Sequence, residues 1–223
     1  MRLLLINPNT NAATTEAIAA IARETAPDGV RIEALTAPYG VPLITEPGAL
    51  AVAAEAVLSL ADAIAAEPPD GVIVSAFGDP GLEALRERLP CPVTGIAEAS
   101  MQEAAAEARP FAVVTTTPDL VSSITARAKA YGHEPLFRGV ALTHGDVHAL
   151  MSDPQRLTEA LEQACRHAIE TMGAQALVIG GGPLAQAAKA LEGRLALPLI
   201  APIPAAVRLA TRRAAHRSAS PRG

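Results

Sequence analysis

VIVSAFGDPGLEALRE, from Val72 to Glu87, and ALVIGGGPLAQAAKAL, from Ala176 to Leu191, are two versions of one local design. Each is a short aliphatic run that stops at small residues and gives way to a helix-forming segment. Such a run, bounded by Gly or Pro and followed by a helical pattern, reads as a buried parallel strand and its crossover. At the turn between them, free backbone N–H groups and the positive end of a helix dipole face outward together, which suits an anion. About a hundred residues separate the two crossings, so the two turns can face one ligand from opposite sides.

The same alternation runs through the chain. Apolar β-type runs occur at Arg2 to Ile6, Val30 to Leu35, Gly71 to Ser75, Phe111 to Thr115, Phe137 to Leu142, Ala176 to Ile179 and Leu197 to Ile200, with amphipathic segments between them. That is the pattern of βαβ units, so the fold class is α/β with parallel sheets. Asn9 or Thr10 is the expected cap of the first helix. Asp153 followed by Pro154 opens a helix that runs to Met172, and Gly173 closes it.

With 223 residues the chain can bury a substantial core, and 50% of it is hydrophobic while aromatics make up 2%. The formal charge of −5 and the lack of a basic stripe or stacking aromatics argue against nucleic acid as a partner. The opening apolar run after Arg2 is too short for a signal peptide, and no window is read as a membrane span, so a cytoplasmic protein away from membranes is expected. Cys91 and Cys165 have neither disulfide nor metal-ligand spacing and read as small hydrophobes.

The strings INPNT (Ile6 to Thr10), FGDPGL (Phe77 to Leu82) and CPVTGIAEAS (Cys91 to Ser100) together resemble the hydantoin racemase branch of the Asp/Glu racemase superfamily. The resemblance implies two similar α/β lobes with a ligand cleft between them. It would place the first lobe at 1–95, completed by a C-terminal helix at 205–217, the second at 96–204, and a flexible tail at 218–223. It also implies a small-molecule substrate, no cofactor, no metal and a homo-oligomer. Members of that branch use two thiols, one on each face of an acidic carbon. The matching positions here are Ala76 and Gly181, which offer a methyl group and a hydrogen.

Several residues remain as replacements or ligand contacts. Ser75 and Asp79 flank the first crossing. Strand alternation turns Ser75 away from the direction of Ala76, and Asp79 before Pro80 is also the residue type that caps the next helix. His144, Asp146 and His148 form the one cluster with acid/base chemistry, although loop histidines are commonly just exposed. Asn7 and Asn9 end the first strand, Asn7 being the stronger ligand candidate because Asn9 also suits a turn or cap. Phe77, Gly78, Gly181, Gly182 and Pro183 form the crossings themselves, where glycine permits close backbone approach. Thr115, Thr116 and Thr117 add a third crossing with hydroxyls, and Tyr39 to Glu46 occupies the place of a covering loop. The expected function is a cofactor-independent isomerase acting on a small carboxylate, hydantoin or cyclic amide through an enolate-like state. A ligand-binding protein without catalysis and a lyase or decarboxylase are the alternatives.

Overall fold

The computed structural model describes residues 1–219; the last part of the expected tail lies outside them. Strands β1 (Arg2–Asn7), β2 (Arg31–Thr36), β3 (Gly71–Val74) and β4 (Val93–Gly95) form one parallel sheet in the order β2-β1-β3-β4. Strands β5 (Phe111–Thr115), β6 (Phe137–Leu142), β7 (Ala176–Ile179) and β8 (Leu199–Ile200) repeat that order as β6-β5-β7-β8. The helices are α1 (Ala12–Thr25), α2 (Pro47–Leu58), α3 (Ala61–Ala66), α4 (Leu82–Arg88), α5 (Ile96–Ala104), α6 (Val121–Ala130), α7 (Val147–Met151), α8 (Pro154–Met172), α9 (Ala185–Leu191) and α10 (Pro202–Ala219). The strand that sequence reading missed is β4, whose three residues are too few to show a pattern.

Strand side chains alternate between two faces, and the alternation sorts the core. Leu3, Leu5 and Ile73 of the first sheet share one buried cluster with Phe111, Val113, Ala176 and Val178 of the second. Residues of α1, α5, α6 and α10 fill the same cluster. The intervening positions Leu4, Ile6, Val72 and Val74 pack under α3 and α4, while Ala112, Val114, Leu177 and Ile179 pack under α8 and α9. The two sheets are therefore separate as hydrogen-bonded units but joined by one core. Helix α10 crosses back from the second sheet to pack on α1, α5, β3 and β4. Arg213 on it makes a two-point ion pair with Glu98 at 2.8 Å, and Arg86 adds a third contact at 2.7 Å. Burial pushes the Glu98 carboxyl up, but these guanidiniums outweigh it and hold it below its ordinary range.

Three local expectations need correction. The first helix is capped by Asn11, whose side chain accepts from Ala13 N and Thr14 N, and not by Asn9 or Thr10. Pro47–Ala66 is a 20-residue stretch with mean hydropathy 1.8, long and apolar enough to span a membrane by those criteria. Here it breaks at Ser59 and Leu60 into α2 and α3, and Ala53, Ala56, Val57, Ala61 and Ile64 turn inward. Its many alanines raise hydropathy without the bulk of a typical span. Asp79, finally, caps a helix other than the next one.

Asp79 has a left-handed φ of 50° and is wholly buried. Its carboxylate accepts from Ala97 N at 2.9 Å and Glu98 N at 2.8 Å, the free amides at the start of α5. The residue before α5 is Gly95, where a β-carbon would fall 2.1 Å from the Asp79 carboxyl carbon. Asp79 thus supplies from a neighbouring loop the cap that Gly95 cannot. Tyr131, at the end of α6, donates to the same carboxylate at 2.7 Å, and Arg127 pairs with Glu83 beside it at 2.6 Å. Both contacts tie the second lobe to the first.

Burial raises the Asp79 pKa from 3.8 to about 6, against the lowering effect of its three hydrogen bonds. A carboxyl with a higher pKa folded than unfolded binds more protons when folded between those values. The stability it contributes is fully present below about pH 4 and is lost as pH rises through about 6. Unfolding free energies from urea titrations should show wild type losing up to about 3 kcal/mol relative to Asp79→Asn between pH 4 and pH 7. A difference that stays flat with pH would refute a buried, titrating Asp79. Gly95→Ala should lower stability by about 1–3 kcal/mol at any pH through overpacking.

Candidate functional site

In both sheets the two central strands end at the same side, and the order reverses direction between them. Ligands of parallel α/β sheets sit outside the carboxyl ends of strands at such a point. All four central strands meet at one pocket here. Asn9 follows β1, Ser75, Ala76 and Phe77 follow β3, Thr115 ends β5 with Thr116 and Thr117 after it, and Gly180 to Pro183 follow β7. Leu43 and Ile44 of the 39–46 loop, Val147 and Met151 of α7, and Leu120 and Leu184 complete the wall. The 39–46 loop is held in place by Thr10 N, which donates to Val41 O at 3.0 Å.

The walls come together because glycine allows it. A β-carbon on Gly182 would stand 2.7 Å from the Ser75 carbonyl oxygen, and one on Gly180 would stand 2.6 Å from Val113. The first and second crossings are therefore in direct contact, backbone on backbone. Ala76 and Gly181 are partly exposed where their neighbours Ser75 and Gly182 are buried, and both line the pocket. Gly181 has φ 165°, extended backbone that any residue adopts.

The polar atoms of the pocket divide into committed and free. The Ser75 hydroxyl donates to Ile6 O at 2.8 Å, and Thr115 donates to Gly180 O at 2.8 Å. Thr115 has one proton, so in its 3.1 Å contact with Thr117 the donor is Thr117. Asn9 is oriented by the Asn11 N–H and by Asn7 Nδ2, both donating to its Oδ1 at 2.9 and 2.8 Å. That leaves Asn9 Nδ2 a donor without a protein partner, on a residue only 4% exposed. Thr116, 5% exposed, likewise keeps its hydroxyl unpaired. Of the backbone amides, those of Ser75, Gly180 and Gly181 donate within the chain, whereas those of Ala76 and Phe77 have no acceptor.

The sequence candidates are sorted by this geometry. Asn7 does not line the pocket: its Nδ2 is used up on Asn9, Asn11 O and Thr15. It is the residue behind Asn9, reversing the expected order of the two. Ser75 and Ala76 both face the pocket because β3 ends at Val74 and alternation ends with it. Gly78 is turned against Leu50, and Asp79 lies under α5, so neither reaches the cavity. His144 and His148 are exposed, and Asp146 caps α7 by accepting from Ala149 N at 2.9 Å. Among the described residues no group of three His, Cys, Asp or Glu could hold a metal ion. Cys165 lies within α8, its thiol pushed up to about 12 by burial, and Cys91 is buried and raised likewise; neither lines the pocket. The helices expected to aim dipoles into the site are short, seven residues each, and α4 begins at Leu82, beyond the pocket. Among the described residues, the lining has no ionisable side chain.

The profile of the Asp/Glu/Hydantoin racemase family matches residues 3–210. The chain belongs to the Asp/Glu/hydantoin racemase family. Within the family it is similar to a hydantoin racemase from Paenarthrobacter aurescens, 31% identical over 94% of this chain and 89% of the relative. Among solved structures it resembles an allantoin racemase from Klebsiella pneumoniae at 35% identity and TM-score 0.91, covering 97% of this chain and 89% of that one. An allantoin racemase from Pseudomonas fluorescens follows at 32% identity and TM-score 0.89, covering 95% and 90%. These relatives place it in the hydantoin racemase-like branch of a family of isomerases. The family's two-lobed arrangement is the architecture described above.

The contact of Gly182 with Ser75 makes a direct test of how the pocket is built. Gly182→Ala should lower the unfolding free energy by about 1–3 kcal/mol, because the colliding atom is backbone and cannot rotate aside. Stability within about 0.5 kcal/mol of wild type in a urea titration would show that the crossings are not in contact.

Proposed function

We propose that this chain is a cofactor-independent, racemase-family enzyme whose pocket takes a small, uncharged cyclic amide of the hydantoin type. The observation that carries this reading is the lining itself: free amide and hydroxyl groups, several aliphatic walls, and no charge. A bound carboxylate would leave water without a cation to meet it, which is costly in a closed site. A neutral ring with neighbouring C=O and N–H groups meets no such penalty. Asn9 Nδ2 is available to donate to a ring carbonyl, and the lone pairs of Thr116 and Thr117 to accept from ring N–H. The free amides of Ala76 and Phe77 are the donors for the oxygen of an enolate-like state, where fixed donors are worth most.

Proton transfer at the ring carbon is the step the lining does not furnish. The resemblance assigns thiols to positions 76 and 181, and alanine and glycine there carry no proton. Exchange, if it occurs, then runs through hydroxyls or bound water, which are poor bases near neutral pH. That same lining supports a second reading, a protein that binds the ring without inverting it. The family likeness further supports a cytoplasmic homo-oligomer.

Proton NMR in deuterium oxide separates the two readings. Loss of the C5 proton of a 5-substituted hydantoin or allantoin above the uncatalysed rate supports an isomerase; binding with no exchange leaves a binding protein. Grafting both thiols as Ala76→Cys and Gly181→Cys should raise exchange at least about 100-fold, the usual scale of general acid–base catalysis. A β-carbon at Gly181 lies 3.2–3.3 Å from Leu184, a flexible side chain that can give. A folded double variant that binds the ring yet exchanges no faster would show that positions 76 and 181 do not flank the reacting carbon.

A further inference from the structure

The ring-binding cavity is small. It offers about 50 Å³ to the centre of a water-sized molecule, on a measure where one water needs roughly 10–15 Å³. A five-membered ring fits such a space and a long substituent does not. On the far side of Met151, Gly182 and Pro183 lies a second cavity of about 300 Å³, between α1 and the start of α9. These three residues line both spaces, so they are the partition between them.

The partition has one movable part. Gly182 is pressed against the Ser75 carbonyl and Pro183 is fixed by its ring. Met151 is a half-buried, unbranched side chain at the end of the five-residue α7, and thioethers of this kind swing among rotamers at little cost. Beyond it, the groove is walled by Ala17, Ile18 and Ile21 of α1 and by Ala185, with Thr14 and Gln186 its polar members and no ionisable side chain among its lining residues.

We infer that this groove is the subsite for an apolar substituent on the bound ring, and that Met151 is the gate between ring and substituent. The inference rests on the cyclic-amide reading of the pocket and adds the side of the ring that reading leaves open. A substrate with a short or polar substituent keeps Met151 closed. One with an aliphatic chain of about four or more carbons displaces it and buries the chain along α1.

Isothermal titration of 5-methylhydantoin and 5-hexylhydantoin tests this in the intact protein. Burying one methylene is worth roughly a fourfold gain in affinity, so wild type should bind the hexyl ring at least about tenfold more tightly. Ala17→Trp, which fills the groove, should bring the hexyl-to-methyl affinity ratio down to about one. Ala17→Asp, a change on the partly exposed face of α1, should do the same by placing a charge there. Met151→Ala should raise the hexyl association rate by opening the partition. A hexyl-to-methyl ratio that is the same in wild type and in both Ala17 variants overturns the subsite, as does a wild type that binds the methyl but not the hexyl ring. Binding of neither ring by any of these proteins would sink the cyclic-amide reading, and the subsite with it.

Discussion

The close approach of the two crossings is the constraint on which the site depends. Gly182 can lie on the Ser75 carbonyl only because it has no β-carbon, and that contact sets how far apart the two sheets' strand ends stand. Phe77 packs against Gly180 from the other side, within ordinary van der Waals distance of where a side chain would begin. The pocket is the space left over when two backbone turns touch. Its size, its low polarity and its closeness to α7 follow from that contact.

The shared core enforces the same spacing from behind. Because Leu3 and Ile73 pack into one cluster with Phe111 and Val178, separating the sheets would expose apolar surface all along the interface. Asp79 acts at the rim of this interface, joining the loop after β3, the start of α5 and the end of α6 through one carboxylate. A single buried acid thereby couples the first crossing to both lobes. Its lone contribution depends on whether it carries a proton, and that is the cost of using a charge-capable cap inside a core.

Much of this was legible in the sequence, and the remainder was hidden for identifiable reasons. Runs such as Val72–Val74 and Ala176–Ile179 show parallel strands because burial on both faces leaves no polar positions. The family resemblance singled out Ala76 and Gly181, and both line the pocket. Asp79 was misread because its cap partner lies 18 residues along the chain, past an intervening helix and strand. Asn7 and Asn9 could not be ordered from sequence, since which one is the donor to the other depends on the turn they share. Val147 and Met151 stood in a segment whose histidines drew notice, yet those two apolar residues are the ones that reach the pocket.

Ala76 and Gly181 sit at turn positions where the fold asks nothing of a side chain. Their backbone carbonyls hold the turns, Ala76 O accepting from Asp79 N and Gly181 O from Leu184 N, and neither residue brings a side chain to the core or to a hydrogen bond. Side chains at these two positions are therefore separable from what keeps the protein folded. A side chain at position 76 adds to a surface already facing the pocket, whereas one at 181 asks only that the Leu184 side chain give way.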